Sequence, residues 1–530
     1  MNNMIKKFNN SKAICYILLV SGIFLICLCS CIMKLGVRPD TDILWHYKLG
    51  GDILHTKTLS LDNPYTFLKN TEWVPHEWLY EVIVYGIFSV TGAIGFCVLY
   101  ALNRIFLFGI TYKLNKTKSF LLYLMTFVLL YTVFPQNRGN RPSEFSMYFV
   151  LFMFYFYWST SKYKRLWYIG LGVFVANFHG GIAMVMIVVH IILMAMDVVV
   201  DVYERSFHSK SYYNKHIIDI VLFTLSCFVN PAGYKLFTNS ILVSFAFSTH
   251  QISEWLPFSF DYISIFCVVL MVISFGYALY KTKFGRLDVQ KIGSLCALLI
   301  LSCVSQKAFI LYFVVYLVFG YNYLYDMFSD ICKVLKDKWV VPEKLEATPK
   351  MTRNVKLLII NYAAIVLCIS GFVSNRNDLN NVKYSGSFTE WLNSFYSNEI
   401  LTELKNNYTP DTKILTSYTY GNLLILNDMK CFVDARQWCY AKEMGSCGAV
   451  DELFYLDEAV RTDKEAIDCF LNKYDFDYIW TNRELPLSVY LDMSDGYERV
   501  CVFKSKKGSL SNIYKRDTSS YECLYKKIDD

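Results

Sequence analysis

Long apolar runs are the feature that most constrains what this sequence can fold into. Residues 15–33 and 357–373 contain no charged side chain, and residues 217–229 contain one. About 20 such residues in a helix cross the hydrocarbon core of a bilayer. The chain is also 54% hydrophobic and only 18% charged, whereas a soluble protein carries about 25% charged residues. The sequence therefore predicts an integral membrane protein.

Eleven segments fit membrane spans. We expect them near 14–35, 93–112, 119–135, 142–160, 166–180, 181–200, 216–230, 260–280, 290–304, 308–326 and 355–375. The stretch 79–91 fits either a further crossing or a helix in the outer interface. The first span follows Lys6, Lys7 and Lys12, as in a signal peptide, but no small-residue cleavage site follows it, so we expect it to stay uncleaved.

Basic residues predict the orientation when 79–91 is treated as non-crossing. The predicted inner segments (1–12, 113–118, 161–165, 201–215, 281–291 and 327–356) contain 23 Lys and Arg residues. The predicted outer segments (36–92, 135–141, 177–181, 230–259 and 305–307) contain 8. Cytoplasmic loops of membrane proteins are enriched in Lys and Arg. We therefore expect a plasma-membrane protein with a cytoplasmic N-terminus. The net charge of +7 is spread over these loops, which argues against nucleic acid as a partner.

Residues 376–530 have a different pattern. Strand-like runs at 413–416, 431–433, 478–480 and 500–503 alternate with polar helical stretches. This pattern predicts a soluble, extracytoplasmic α/β domain of about 150 residues, after a membrane domain of residues 1–375 with a large first outer loop, 36–92. Six cysteines in this region fit either disulfides or free thiols; they are Cys431, Cys439, Cys447, Cys469, Cys501 and Cys523.

The first outer loop contains four candidate catalytic residues. Asp40 and Asp42 are one residue apart, and two such carboxylates can bind a divalent cation such as Mg²⁺ or Mn²⁺, or one can act as general base. Either aspartate could instead cap the helix that follows. His76 and Glu77 could complete a metal shell, orient an acceptor, or simply form an interfacial hydrogen-bonded pair.

Basic and aromatic residues of the outer segments add further candidates. Arg138, Arg141 and Lys307 could neutralise a lipid-linked phosphate, or could be charges that snorkel at span ends. Tryptophans at this level also form interfacial belts, and an isolated histidine is more often a core residue. The candidate pocket residues are Trp45, His46, His179 and Glu254.

The order of the motifs resembles a known group. D-x-D-x-x-W-H from Asp40 is followed by N-P-Y, P-H-E-W-L-x-E, R-P, N-x-H-G-G and N-P-x-G, and the terminal region has Asp434-Ala435-Arg436. This looks like bacterial GT-C-type, polyprenyl-phosphate-sugar-dependent glycosyltransferases. The resemblance implies a base or metal ligand at Asp40 or Asp42, and donor-phosphate contacts at Arg141 and Lys307. The group more often has arginine at the position of Lys307.

Together these observations predict an all-α, GT-C-like polytopic membrane domain with a C-terminal α/β domain. The predicted function is transfer of a sugar from a polyprenyl-phosphate carrier to a glycan, lipid or protein acceptor outside the cytoplasm. No nucleophile elbow or phosphate-binding glycine loop is present in the sequence. Two alternatives stay open: a non-catalytic assembly factor for envelope polysaccharide, and a polymerase or transporter of lipid-linked glycans. Polar residues gather at one rim rather than inside the spans, which disfavours a transporter.

Overall fold

The computed structural model describes most of the 530-residue chain. The described residues are 8–59, 61–115, 119–133, 140–252, 255, 257, 262–281, 286–305, 308–338, 352–380, 386–459, 464–505 and 520–528.

Fifteen helices precede the C-terminal region within these ranges. They are α1 (Lys12–Lys34), α2 (Asp42–Thr56), α3 (Trp78–Asn115), α4 (Phe120–Val133), α5 (Ser146–Trp158), α6 (Lys164–Phe178), α7 (Ile182–Glu204), α8 (Lys210–Ser226), α9 (Lys235–Val243), α10 (Phe247–His250), α11 (Tyr262–Lys281), α12 (Arg286–Val304), α13 (Phe309–Phe319), α14 (Tyr321–Lys338) and α15 (Arg353–Asn380). A helix lies at each of the eleven predicted spans. Apolar side chains suit a helix surface that faces lipid, and the backbone hydrogen bonds of a helix are made within that helix.

Among the described residues, four helices are long and apolar enough to cross a membrane: α1, α3, α7 and Arg353–Ser374 of α15. The pair α13 and α14, bent by 56° between them, makes a fifth if it counts as one span. Shorter apolar helices lie in α4, α11 and α12. These helices agree with a membrane protein, while the number of eleven crossings stays a prediction.

Gly92 divides α3 into two parts. Its φ of 59° and ψ of −151° lie outside the helical region, in a conformation that glycine adopts at little cost. The predicted ambiguous stretch 79–91 is therefore the first arm of a bent helix, and the predicted span 93–112 is the second arm.

The first part of the chain packs closely around the start of this bent helix. Gly50 of α2 lies so near α3 that a Cβ there would be 2.0 Å from the carbonyl oxygen of Glu81. Glycine at position 50 therefore allows the backbone of α2 to contact the backbone of α3.

Elsewhere, α1 packs along α15, where the Ser21 hydroxyl donates to Asn361 Oδ1 at 2.7 Å.

The C-terminal region contains a small mixed sheet flanked by helices. Its elements are α16 (Phe388–Asn393), α17 (Asn398–Asn407), β1 (Ile414–Thr416), α18 (Tyr418–Leu426), α19 (Ala449–Ala459), α20 (Lys464–Tyr474), β2 (Tyr478–Asn482), α21 (Pro486–Asp492), β3 (Tyr497–Ser505) and β4 (Ser520–Lys527). The strand order is β1-β2-β4-β3, with β1 and β2 parallel and the other pairs antiparallel. The six cysteines predicted to be either paired or free are free thiols.

One predicted strand, 431–433, is wrong. Cys431 makes only an isolated bridge to Thr66 of the first loop, and its backbone N–H donates to the carbonyl of Tyr65 at 3.0 Å. The apolar run is buried because it packs between the first loop and the C-terminal sheet. Two side-chain hydrogen bonds also join the C-terminal region to the chain around the start of the first loop. Asn422 donates to the carbonyl of Thr41 (3.1 Å), and Trp391 donates to the carbonyl of Leu35 (3.1 Å).

Candidate functional site

A cavity of about 390 Å³ lies where the ends of several helices meet. All five segments predicted to face outward contribute to its lining, through residues such as His46, Arg141, His179, Asn239 and Ser305. Among the described residues, none from the six predicted inner segments lines it. The cavity thus gathers polar groups that are far apart in the sequence.

Asp40, Asp42 and Arg141 form one ionic group at this cavity. Nη2 of Arg141 lies 2.5 Å from Oδ1 of Asp40 and 3.2 Å from Oδ2 of Asp42. Oδ1 of Asp40 also accepts the backbone N–H of Asp42 at 3.0 Å, so the side chain that supports the start of α2 is that of Asp40. Asp42 and Arg141 line the cavity, whereas Asp40 does not and reaches it through Arg141.

A second group consists of His46, Glu77 and Glu81, all buried. Suitable ligand atoms of these three residues lie within 4.8 Å of one another. The His46 ring lies between the carboxylates, with Nε2 3.9 Å from Glu77 Oε2 and Nδ1 3.7 Å from Glu81 Oε1. Neither His46 Nδ1 nor Glu81 Oε2 has a hydrogen-bond partner among the described residues. Buried polar atoms without partners are rare in proteins, and these two fit the coordination of a metal ion.

The chemistry of this donor set also fits a metal. Carboxylates suit Mg²⁺ and Mn²⁺, and imidazole suits first-row transition ions, so the mixed set fits Mn²⁺ better than Mg²⁺. Burial, followed by the charge of Arg141, lowers the pKa of His46 well below its ordinary value. The imidazole is therefore neutral at pH 7, which is the state that binds metals.

Two further histidines surround Glu77. Nε2 of His179 lies 3.3 Å from Glu77 Oε1, and Nε2 of His76 lies 3.7 Å from the same atom. The other ring nitrogen of His179 is 2.5 Å from the hydroxyl of Ser146, and that of His76 is 2.9 Å from the carbonyl of Val74. The His179 ring is thus held at both nitrogens, which fixes its orientation toward the carboxylate, whereas His76 is held by a hydrogen bond at Nδ1 and lies near the carboxylate at Nε2.

Much of the cavity lining is apolar. It includes Ile182 and Val185 of α7, Leu236 and Val243 of α9, and Leu311 of α13. A cavity with both ionic groups and apolar side chains can hold an amphipathic ligand, with its polar part at the ionic groups and its apolar part along the helices.

The C-terminal region closes the cavity with Ala435 and Trp438. This loop is fixed by a fully buried ion pair, in which Arg436 Nη2 lies 2.7 Å from Asp434 Oδ2 and Arg436 Nε lies 2.9 Å from Asp434 Oδ1. The same guanidinium donates to Asn63 Oδ1 at 3.1 Å. The motif 434–436 therefore joins the C-terminal region to the first loop and positions Trp438.

No family model matches the sequence, and no curated protein matches it significantly. Solved structures do match. The archaeal oligosaccharyltransferase AglB from Archaeoglobus fulgidus, in complex with an inhibitory peptide and a dolichol-phosphate, is similar with a TM-score of 0.53 and 11% identity, over 95% of this chain and 75% of that chain. ArnT from Cupriavidus metallidurans bound to undecaprenyl phosphate has a TM-score of 0.46 and 11% identity, over 96% of this chain and 97% of that chain.

The similarity to AglB extends over nearly the whole of this chain. The chain has a GT-C-type fold. At 11% identity the similarity to AglB establishes the fold and no more, and the likeness to ArnT is weaker. The resemblance predicted from the order of the sequence motifs is confirmed at the level of the GT-C-type fold.

Within this GT-C-type fold, most of the predicted site residues come together. The cavity is lined by Asp42, Trp45, His46, His76, Glu77, Arg141 and His179. Asp40 joins them through Arg141. Three other predicted residues, Arg138, Glu254 and Lys307, lie outside the described residues. The metal role of Asp40 and Asp42 stays a prediction; both contact Arg141, and the buried group that can hold a metal is a different one.

Sequence reasoning assigned no role to two residues of the site, Glu81 and Trp438. Glu81 is a buried carboxylate in an apolar run, four residues after Glu77, and this spacing brings both onto one side of the chain where α3 begins. An acidic residue in such a run is costly and was a usable signal. Trp438 gives no such local signal, because only the packing of the C-terminal region on the first loop brings it to the cavity.

Proposed function

We propose that this protein is a membrane glycosyltransferase that moves a sugar from a polyprenyl-phosphate carrier to an acceptor hydroxyl or amide outside the cytoplasm. The observation that carries the proposal is the single cavity whose lining combines carboxylates, an arginine and apolar side chains within a GT-C-type fold. A polyprenyl-phosphate sugar has matching parts: a reacting sugar, an anionic phosphate and a long apolar chain.

In this proposal Asp42 is the general base and Arg141 contacts the donor phosphate. Asp42 lines the cavity, whereas Asp40 accepts hydrogen bonds from the Asp42 backbone and from Arg141. Asp40 is therefore the positioning residue that holds the other two. An arginine fork suits a phosphate because its N–H groups match the phosphate oxygens. We expect the incoming phosphate to compete with the carboxylates for Arg141.

The reaction is a single displacement. The acceptor oxygen or nitrogen forms a bond to the anomeric carbon, and the bond from that carbon to the phosphate oxygen breaks. The electron pair of the broken bond leaves on the phosphate, whose charge Arg141 stabilises. The acceptor proton passes to the Asp42 carboxylate. No covalent intermediate is needed.

A divalent cation held by His46, Glu77 and Glu81 is part of the proposal. A bound cation would supply positive charge near the phosphate. His179 orients the Glu77 carboxylate from the cavity side, and His76 lies 3.7 Å from the same carboxylate oxygen. We propose that the ion is Mn²⁺ or a similar ion, since the donor set includes an imidazole.

We further propose that the cavity opens on the extracytoplasmic side, with the N-terminus in the cytoplasm. The charge asymmetry of the loops supports this orientation, since every predicted loop that lines the cavity belongs to the set with few basic residues. The convergence of Asp42 and Arg141 on one cavity favours an enzyme over an assembly factor, because a scaffold has no need for ionic groups buried in a shared cavity.

The test compares cells that produce the wild type with cells that produce Asp42→Asn in its place. Lipid-linked sugars and envelope glycans of both are measured by mass spectrometry. We expect the variant to reach the membrane at the wild-type level, to lose one glycan modification and to accumulate the corresponding polyprenyl-phosphate sugar. Identical glycans and carrier lipids in the two strains would contradict an enzymatic role and would support an assembly factor.

A further inference from the structure

Arg141 lies on a short segment that is fastened to α3 on both of its sides. Before it, the side-chain amide of Asn140 donates to the carbonyl of Phe96 at 2.9 Å, and the Asn140 carbonyl accepts from the hydroxyl of Tyr80. After it, Glu144 ends a 3₁₀ turn whose N-cap is Arg141. The backbone N–H of Glu144 donates to the Arg141 carbonyl at 3.1 Å. The position of Arg141 therefore depends on how its two flanking residues are held.

An arginine in the second arm of α3 holds Glu144. Nη1 of Arg104 lies 2.7 Å from Oε2 of Glu144, and the same oxygen accepts the side-chain amide of Asn103 at 3.3 Å. The Arg104 guanidinium also lies over the ring of Tyr100, 4.0 Å from its centroid. The side chain of Glu144 is 2% exposed and that of Arg104 is 11% exposed. The two charges thus form a largely buried ion pair at the end of the turn that starts at Arg141.

Stability alone does not account for this pair. Arg104 is the one charged residue in the run 93–112, and a charge in such a run is costly. A buried ion pair is often no more stable than apolar residues in its place, and the best-supported benefit of such a pair is that it fixes one conformation. The conformation that Arg104 and Glu144 fix is the turn that carries Arg141.

The pair also keeps the Glu144 carboxylate from competing for Arg141. Side chains three residues apart in a 3₁₀ turn lie on nearly the same side, and both Glu144 and Arg141 line the cavity. Without Arg104, the Glu144 carboxylate would be a third anion close to the Arg141 guanidinium. With Arg104 present, Glu144 is neutralised from α3, while Arg141 pairs with Asp40 and Asp42.

On the basis of the function proposed above, we infer that the ion pair of Arg104 and Glu144 positions Arg141 for the donor phosphate. Both residues act through Arg141: Glu144 fixes the turn, and Arg104 fixes and neutralises Glu144. The same helix α3 begins directly after Glu77 and carries Glu81 in its first arm. One bent helix therefore places both the carboxylates of the candidate metal group and the arginine that contacts the phosphate.

The experiment uses the full-length protein in lipid nanodiscs and measures binding of two probes, undecaprenyl phosphate and undecaprenol. The ratio of their affinities, called here the phosphate advantage, separates the contact with the phosphate from contacts with the apolar chain. We expect Arg104→Met to lower the phosphate advantage about 10-fold, the effect of one lost charge-assisted hydrogen bond. Arg104→Lys keeps the charge but loses the planar fork, and should lower it about 3-fold. The lysine variant also provides the test if Arg104→Met does not fold.

Two further variants identify a positioning role. Adding Glu144→Gln to Arg104→Met removes the competing carboxylate, so the phosphate advantage should recover to within about 3-fold of the wild type. In an Arg141→Met background, Arg104→Met should leave the phosphate advantage unchanged, because the group that it positions is absent. Loss of stability by itself would produce neither result.

Lys164→Met is the matched control. Lys164 lies 3.1 Å from Asp219, whose side chain is 3% exposed, so this variant also removes the cation of a largely buried pair. Neither residue of that pair lines the cavity. We expect Lys164→Met to keep the wild-type phosphate advantage even where it lowers the unfolding temperature.

The outcomes separate the positioning role from the proposed function. If the wild type has no phosphate advantage, or if Arg141→Met retains it, the assignment of Arg141 to the donor phosphate fails and the positioning role fails with it. If the advantage depends on Arg141 but both Arg104 variants keep it, the positioning role is wrong while the function stands. The role is also wrong if Arg104→Met has the same effect with and without Arg141, or if Lys164→Met has the effect of Arg104→Met.

Discussion

Asp40 and Arg141, which are 101 residues apart in the sequence, form an ion pair with 2.5 Å between Oδ1 and Nη2. The same guanidinium nitrogen lies 3.2 Å from Oδ2 of Asp42. Arg141 thus bridges two carboxylates of the first loop from a separate segment of the chain. Because the side chains of this group are mostly buried, each of the three charges depends on the others for its position.

The bridge predicts that lysine cannot replace Arg141. An ammonium group lacks the planar fork that can contact both carboxylates and a phosphate at once. We expect Arg141→Lys to lower sugar transfer by roughly 10- to 100-fold, the effect of losing one or two charge-assisted hydrogen bonds. Transfer is measured as conversion of the polyprenyl-phosphate sugar in membranes.

The matched control for this change is Arg165→Lys. Arg165 is 54% exposed and lies 3.8 Å from Asp219, away from the cavity. We expect this variant to retain wild-type transfer. Equal activity of Arg141→Lys and the wild type would show that the fork at position 141 has no role in catalysis.

A second prediction concerns the metal. Glu81→Gln replaces a carboxylate oxygen of the buried group with an amide nitrogen, which is a poor ligand. We expect protein purified in the presence of Mn²⁺ to contain near-stoichiometric metal for the wild type and only traces for Glu81→Gln. The measurement is elemental analysis by mass spectrometry after removal of free metal.

The control for the metal experiment is Glu72→Gln. Glu72 is 46% exposed and pairs with Lys235, outside the buried group. We expect its metal content to equal that of the wild type. Absence of metal from the wild type itself would remove the cation from the proposed mechanism, while the assignment of Asp42 and Arg141 would be unaffected.

A third prediction follows from the close approach of two helices behind the site. A Cβ at Gly50 would lie 2.0 Å from the carbonyl oxygen of Glu81 and 3.0 Å from Cβ of Tyr85. Gly50→Ala must therefore push α2 away from α3, at a cost of about 1–3 kcal/mol for overpacking. We expect a lower unfolding temperature together with weaker metal binding, because Glu81 moves with its backbone.

Gly86→Ala provides the comparison on the same helix α3. A Cβ at Gly86 meets nothing within 4 Å, and alanine stabilises a helix interior by about 0.5–1 kcal/mol relative to glycine. We expect this variant to be as stable as the wild type or slightly more stable. If both variants behaved alike, the packing of α2 on α3 would be looser than the structure indicates.

The sequence predicts the location of the site better than its chemistry. Charge asymmetry grouped five segments on one side, and the same five line the cavity, because the ends of antiparallel helices must meet at one rim. The separate positions of Asp40 and Asp42 could not be predicted, since they depend on a turn in which Asp40 binds the backbone of Asp42.

The C-terminal region shows the same limit. Its predicted strands at 413–416, 478–480 and 500–503 match β1, β2 and β3. The run 431–433 is apolar like a strand, but it is buried between Thr66 and Tyr65 of the first loop and the C-terminal sheet without forming a strand of that sheet. The local sequence pattern indicates that a segment is buried, but only the tertiary fold determines which part of the protein covers it. Trp438 could not be predicted for the same reason.

The last prediction concerns the buried pair that positions this loop. Asp434 and Arg436 are both fully buried, and Asp434 also accepts a hydrogen bond from Tyr440. Removing one partner leaves an unpaired buried charge, so Asp434→Asn or Arg436→Met should lower the free energy of unfolding by about 3–5 kcal/mol. The double variant Asp434→Asn with Arg436→Met should cost less than the sum of the two single variants, because it leaves neither charge buried alone.

The control is Glu452→Gln, which breaks an exposed pair with Lys473 and should cost about 0–1 kcal/mol. Unfolding followed by circular dichroism in detergent measures all four variants. Strictly additive single-variant effects would mean that the two charges are stabilised independently, and the loop that carries Trp438 would then be held by its apolar contacts instead.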